Sequence, residues 1–369
     1  MNHLSLGVLA ALALSACAGL EGGAAPDAPA TQSAIHAYQA TASVGDFLLV
    51  TIDKANRTVS YENRTNGLTA TGVGYTVDAR GVYSFTGDPN GHLRQAIELE
   101  DEVLVADVDH AGPGRDTRAL AVGAATQPID PAAIHGGMLT MQFRTQNGGM
   151  EVGHVDLGRS GQTLTVDYSG YWPRGAMMTG SDAFNSGPGS LTLPGGGAQG
   201  SLTITESKNG VTSTDTLFKV TSGYALDMSN GNMFMLDRSA SKAFDPARAG
   251  DYQALAYAKV GARGTSDATP EPGTPSVVLE TITIDAAGHV TVSQGGQTVA
   301  SSRLVPVADV AALTGAGKLD PTRCNGLFTF EGGSRQVFVL FSDKGLLFTS
   351  FSPGADDSYD YAYGAAVRL

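Results

Sequence analysis

A search for reactive side chains turns up candidates but no assembled catalytic group. Ser239-Ala240-Ser241-Lys242 matches the Ser-x-x-Lys pattern, in which a lysine can take a proton from a serine one helical turn away. Its companion motifs Ser-Asp-Asn and Lys-Thr-Gly do not occur in the chain. Gly158-Arg159-Ser160-Gly161 falls one residue short of a nucleophile elbow. The seven histidines, His3, His36, His92, His110, His135, His154 and His289, include no His-x-His or His-Glu-x-x-His pair, so no zinc site is written in the sequence. Asp107 and Asp109 alternate along one strand and share a face. They would hold a hard cation only with ligands from elsewhere, and the plainer reading is a solvated strand end. Asp356, Asp357 and Asp360 stand among tyrosines without the spacing of a calcium loop, and read as a turn into a last strand. Cys324 reads as a small apolar residue beside a strand. Tyr171 and the single tryptophan, Trp172, precede a Pro-Arg-Gly turn. Two rings beside such a turn suit stacking on a glycan or seating a protein partner, and they are the ligand-binding candidates. The competing reading is a tryptophan that closes a strand end. No catalytic residue, metal ligand or cofactor follows from this search, which points to a binder more than an enzyme.

Cys17 stands apart. Residues 4–16 read LSLGVLAALALSA, an apolar run that ends in small residues. It is shorter than the roughly 20 residues of a membrane-spanning helix and has the length of a signal-peptide apolar region. The n-region Met1-Asn2-His3 lacks the usual lysine or arginine. Leu14-Ser15-Ala16-Cys17 resembles the lipobox of bacterial lipoproteins. The resemblance implies that residues 1–16 are a signal peptide, that the chain is cut before Cys17, and that the Cys17 thiol takes up lipid, palmitate among its acyl chains. Several chains on one cysteine anchor more firmly than one. Ala18, in place of aspartate after the cysteine, implies an outer-membrane anchor, with the body on the periplasmic or the surface side.

The elements that would position any site are strands. Residues 17–43 are small and polar and read as a lipidated flexible tether. Beyond them, short β-branched and aromatic runs alternate with turn signals such as Asn66-Gly67, Asp88-Pro89-Asn90-Gly91 and Asn209-Gly210. The turns recur about every 8–12 residues, the rhythm of sandwiches and barrels. One helical turn is expected over residues 307–313. Weak internal echoes divide the body into modules at 44–126, 136–240 and 249–369. Gly45-Asp46-Phe47 echoes Gly250-Asp251-Tyr252, and residues 75–81 echo 282–288. The best match pairs 81–85 and 94–99 with 326–330 and 335–340, and 200–204 and 216–220 follow more loosely. The expected fold is all-β, with two or three antiparallel β-meander modules, barrel- or sandwich-like. A β-propeller of about seven segments is the alternative. Two long Gly/Pro-rich loops, residues 184–200 and 261–275, have the length of functional or disordered loops.

Composition agrees with this and excludes other classes. Glycine supplies 48 of 369 residues, and only 16% are charged, with a net charge of −13. That balance opposes phosphate neutralisation, so no nucleic-acid partner is expected. A hydrophobic share of 42% excludes a disordered chain. The β-rich body resembles those of exported lipoproteins. The expectation is therefore a lipid-anchored cell-envelope protein with a binding or structural role, attached to the membrane through Cys17, with a glycan or protein as possible partner. An envelope hydrolase with a dispersed active site is the first alternative. A surface adhesin or assembly subunit is the second.

Overall fold

The computed structural model describes residues 34–99, 102–110, 118–144, 149–161, 163–171, 185–192, 200–208, 211–263, 274–315, 318–333, 335–353 and 358–369. Cys17 and the signal segment, Trp172, residues 264–273 and Asp356-Asp357 lie outside them. The body is a succession of three closed eight-stranded antiparallel barrels. Barrel 1 consists of β1 (Ile35–Ala42), β2 (Asp46–Asp53), β3 (Thr58–Asn63), β4 (Thr69–Val77), β5 (Val82–Thr86), β6 (Leu93–Leu99), β7 (Val103–Asp109) and β8 (Arg118–Ala125). Barrel 2 consists of β9 (Gly136–Arg144), β10 (Gly149–Ser160), β11 (Thr163–Tyr171), β12 (Asn185–Thr192), β13 (Ser201–Lys208), β14 (Val211–Val220), β15 (Gly223–Met228) and β16 (Gly231–Asp237). Barrel 3 consists of β17 (Gly250–Arg263), β18 (Thr274–Ile284), β19 (His289–Gln294), β20 (Gln297–Pro306), β21 (Leu327–Phe330), β22 (Gln336–Phe341), β23 (Gly345–Pro353) and β24 (Ser358–Arg368).

Each barrel is a plain meander whose first strand pairs with its last: β1 with β8, β9 with β16, β17 with β24. Closure leaves no edge strand open to another chain. The all-β meander expected from the turn rhythm is therefore the fold, and the propeller alternative gives way to barrels. At residues 307–313 there is one 3-10 turn, Val307–Asp309.

The echoes differ in their structural meaning. Residues 81–85, 200–204 and 326–330 fall on the fifth strand of the three barrels, β5, β13 and β21. Residues 94–99, 216–220 and 335–340 fall on the sixth. The two opening echoes are out of register, since Gly45 leads into a second strand and Gly250 into a first. One boundary needs correction. Ile35–Ala42, which composition assigns to the tether, is β1. Small residues suit a linker, but they also suit a strand pressed on both faces. Here Tyr38, Ala40 and Ala42 face the interior of barrel 1, while Gln39 and Thr41 are buried on the other side.

That two-sided burial organises the whole body. Successive side chains point to opposite faces of a strand. One set fills the three barrel interiors. The other set builds a fourth core, a seam where the barrels' outer walls meet. Phe47, Ile97, Val105 and Leu120 enter it from barrel 1, Phe143, Val152, Phe218 and Phe234 from barrel 2, and Leu255, Tyr257, Phe338 and Tyr363 from barrel 3. On β24 the division is plain. Ala362, Gly364 and Ala366 alternate with Tyr361, Tyr363, Ala365 and Val367, and all seven are buried. Gly45 marks a close approach of two barrels. Its φ is +85°, and an added Cβ would overlap the Met228 carbonyl oxygen of β15.

Tyr363 lies at the meeting point. Its ring stacks on Phe143 of barrel 2, with centroids 4.7 Å apart, and on Tyr257 of barrel 3 at 4.9 Å. Its hydroxyl donates to Ser43 Oγ of barrel 1 at 2.6 Å. The residue is fully buried. Tyr363→Ala is expected to cost about 3–5 kcal/mol, as for other buried aromatics cut to alanine. It should also split a single urea transition into separate barrel transitions. Tyr363→Phe should cost about 1 kcal/mol for the lost hydrogen bond. Urea denaturation followed by circular dichroism checks both values.

Candidate functional site

The three barrel interiors are filled differently. Barrel 1 is packed by Tyr38, Tyr61, Tyr75 and Tyr83 among aliphatic residues, and leaves only about 10 Å³ of free space. Barrel 3 holds an open-mouthed cavity of about 470 Å³, within the range of small-molecule sites. Its inner wall on the β17–β24 side is built of Ala254, Ala256, Ala362, Gly364 and Ala366, which reach little into the lumen. Gly364 is required there, because a Cβ would run into the Phe348 ring.

The cavity has an apolar floor and a polar mouth. Tyr252, Phe244, Phe328 and Phe341 close one end, with the Phe328 and Phe341 rings 5.9 Å apart. Ile282, Val292, Leu304, Val337 and Phe348 form the wall. Glu280, Gln294 and Arg335 stand at the other end. Strand alternation puts them there: Glu280 precedes Ile282 by two residues, Gln294 follows Val292 by two, and Arg335 precedes Val337 by two. Gln294 Nε2 donates to Glu280 Oε1 at 2.7 Å. Burial raises the Glu280 carboxyl above its usual range, opposed by Gln294 and by Arg335. Glu280 and Arg335 form no ion pair with each other. The hairpin turns Gly295-Gly296 and Gly332-Gly333, all at positive φ, rim this end, and Val299 stands half exposed beside it.

The titratable clusters elsewhere are buried and occupied. Glu98, at one end of barrel 1, accepts from Tyr38 at 2.6 Å, from Lys54 at 2.5 Å, from His36 at 3.0 Å, and from Tyr83. Burial works against its charge, but these donors together hold the carboxyl below its usual value. Asp107 pairs with Arg118 and Asp109 with Arg94, so the two acids that share a strand are each neutralised. Lys242 is paired with Asp309 at 2.7 Å, and Ser239 Oγ accepts from the Ser241 amide, so the two do not face each other as a dyad. Cys324 is buried and its thiol is pushed up to about 12, chiefly by burial. Of the ligand-binding candidates, Tyr171 packs into the seam with its ring edge-on to Phe338 at 6.0 Å, and Trp172 is outside the described residues.

Sequence reasoning missed the cavity, because wall and seam residues are equally apolar. It also missed two groups in the seam. His154 is buried with neither ring nitrogen bonded, and burial, helped by Arg323, lowers it to about 4. Asp227 accepts from Thr41 Oγ1 across the barrel 1–barrel 2 contact. Burial, with Asp46 and Asp215 nearby, raises it to about 8.

No known protein family matches the chain, and no curated protein does. One solved structure that resembles it is a mutant of the vaccine antigen Transferrin Binding Protein B (TbpB) from Haemophilus parasuis Hp5. The likeness has 10% identity and a TM-score of 0.24 over 88% of this chain and 65% of that one. The chain thus spans about two thirds of that structure.

The two seam groups give opposite pH dependences. His154 titrates near 6.5 when unfolded and near 4 when folded, so its stability contribution is lost as pH falls through that interval. Asp227 titrates near 3.8 unfolded and near 8 folded, so its contribution is present in acid and lost as pH rises toward 8. Between pH 4 and 6.5 the two slopes offset. Asp227→Asn should gain on the parent chain by about 1.4 kcal/mol per pH unit across that rise, and then level off. Unfolding midpoints of both chains, measured from pH 4 to 9, check this.

Proposed function

We propose that this chain is a lipid-anchored protein of the bacterial cell envelope whose third barrel binds a small, largely apolar ligand. The observation that carries the binding reading is the 470 Å³ cavity: apolar floor and wall, polar mouth, in a body whose first barrel is filled. The anchor reading rests on Leu14-Ser15-Ala16-Cys17. The outer membrane is the proposed site of attachment, on the strength of Ala18.

The alternatives draw less support. A hydrolase needs an acid or base converging with a nucleophile in a cleft. The buried pair Asp46–His110, 2.7 Å apart, and the Glu98 cluster both lie in barrel 1, away from the cavity, and Glu280, which does stand in the cavity, is bonded to the Gln294 amide rather than to a nucleophile. An adhesin or assembly subunit should carry a continuous apolar patch. Among the described residues the large exposed apolar side chains are Ile35, Val77, Val299 and Leu369, scattered over three strands and the C-terminus. The cavity also has more to offer a ligand than Tyr171, whose ring is engaged with Phe338.

Two experiments test the two halves separately. Cys17→Ser should move the protein from the detergent phase to the aqueous phase in a partition assay, and equal partitioning would end the anchor reading. Val292→Trp places an indole in the barrel 3 lumen. It should abolish the fluorescence enhancement of the neutral apolar dye N-phenyl-1-naphthylamine while leaving the far-ultraviolet spectrum unchanged. Undiminished dye binding would move the site out of barrel 3.

A further inference from the structure

Resting on the reading that barrel 3 binds a ligand, we propose that its ligand is an amphiphile with an uncharged head that both donates and accepts hydrogen bonds, such as a long-chain amide. The mouth carries the argument. Glu280 and Arg335 both line the cavity, yet they are not within ion-pair reach of each other. Among the described residues Arg335 makes no hydrogen bond or ion pair and is the only cation lining the lumen. Glu280 uses Oε1 to accept from Gln294, and its Oε2 has no protein donor among the described residues. One end of the lumen therefore presents an unused donor fork and an unused acceptor that do not reach each other.

A neutral donor–acceptor head satisfies both. Its carbonyl accepts from the Arg335 guanidinium and its N–H donates to Glu280. A carboxylate head would satisfy Arg335 but bring a second negative charge beside Glu280, with Glu331 adding a third at the rim. An ammonium head would satisfy Glu280 and face Arg335. In a half-buried mouth each mismatch leaves a like-charge contact and an unpaired group, which is how a site discriminates against the wrong partner. The tail would lie along Ile282, Val292, Val337 and Phe348 toward the aromatic floor. Those four residues offer it no polar atom, and the charged groups of the cavity are all at the mouth.

The test uses the full chain carrying Cys17→Ser, which needs no detergent. Bound N-phenyl-1-naphthylamine is displaced with dodecanamide, dodecanoate or dodecylammonium, each below its micelle concentration. The amide should displace the dye at about a tenfold lower concentration than either ion, the effect of one satisfied hydrogen bond to a charged group. Arg335→Leu and Glu280→Leu should each lower the amide's affinity about tenfold relative to the dye's, measured on each variant. Equal or better displacement by dodecanoate or dodecylammonium overturns the head assignment, while the cavity stays a ligand site. If the dye and all three amphiphiles fail to bind, the binding reading itself falls, and this inference with it.

Discussion

The three barrels converge on one buried tyrosine. Tyr363 is stacked between Phe143 and Tyr257, and its hydroxyl reaches Ser43, so each barrel supplies one of its partners. A tyrosine suits the position because its ring offers two faces for packing while its hydroxyl needs only one partner. The rest of the seam follows from the same constraint. A strand such as β24 must be apolar on the outward face as well as the inward one, because the outward face is also interior. A single eight-stranded barrel could leave its outer wall to water. These three cannot, and their polar seam groups, such as Asp227 and His154, hold the protonation state that burial imposes on them.

Within that frame the barrels divide the work. Barrel 1 is closed by side-chain volume and by the four donors around Glu98, an arrangement that leaves the carboxylate nothing further to bind. Barrel 3 has the same strand count and the same meander, but on two adjoining strands its inner wall is alanine and glycine. The lumen that results does not come from a wider barrel. It comes from side chains that stop short, and the mouth is polar because the alternation that delivers Ile282 and Val337 inward also delivers Glu280 and Arg335 inward two residues away.

The fold was largely legible because turns are local. Asn66-Gly67, Asp88-Pro89-Asn90-Gly91 and the glycine pairs state where the chain reverses, and the reversals count the strands. The fifth- and sixth-strand echoes were legible for the same reason: strand, turn and strand follow one another directly in the chain. The opening echo at Gly45 and Gly250 misled because a Gly-Asp-aromatic triplet can begin any strand. β1 was read as tether because composition averages over the two faces that Tyr38 and Thr41 separate. The cavity was illegible for a different reason. Ala362 and Val367 are both apolar, and nothing local says that one faces a lumen and the other a seam. Asp227 and Asp46 are brought together only by the packing of two barrels, so the raised pKa of Asp227 has no trace in either local sequence.

β24 completes two structures at once. It closes barrel 3 by pairing with β17, and it delivers Tyr363 to the seam. A chain made from its N-terminus therefore finishes two barrels before the surface they share has its central ring. Until β24 arrives, part of the apolar outward surface of the first two barrels lacks its cover. Arrival of β24 and completion of the seam are thereby the same event. A protease or chaperone can tell a molecule with a finished seam from an interrupted one by that surface alone, with no need to recognise any particular sequence.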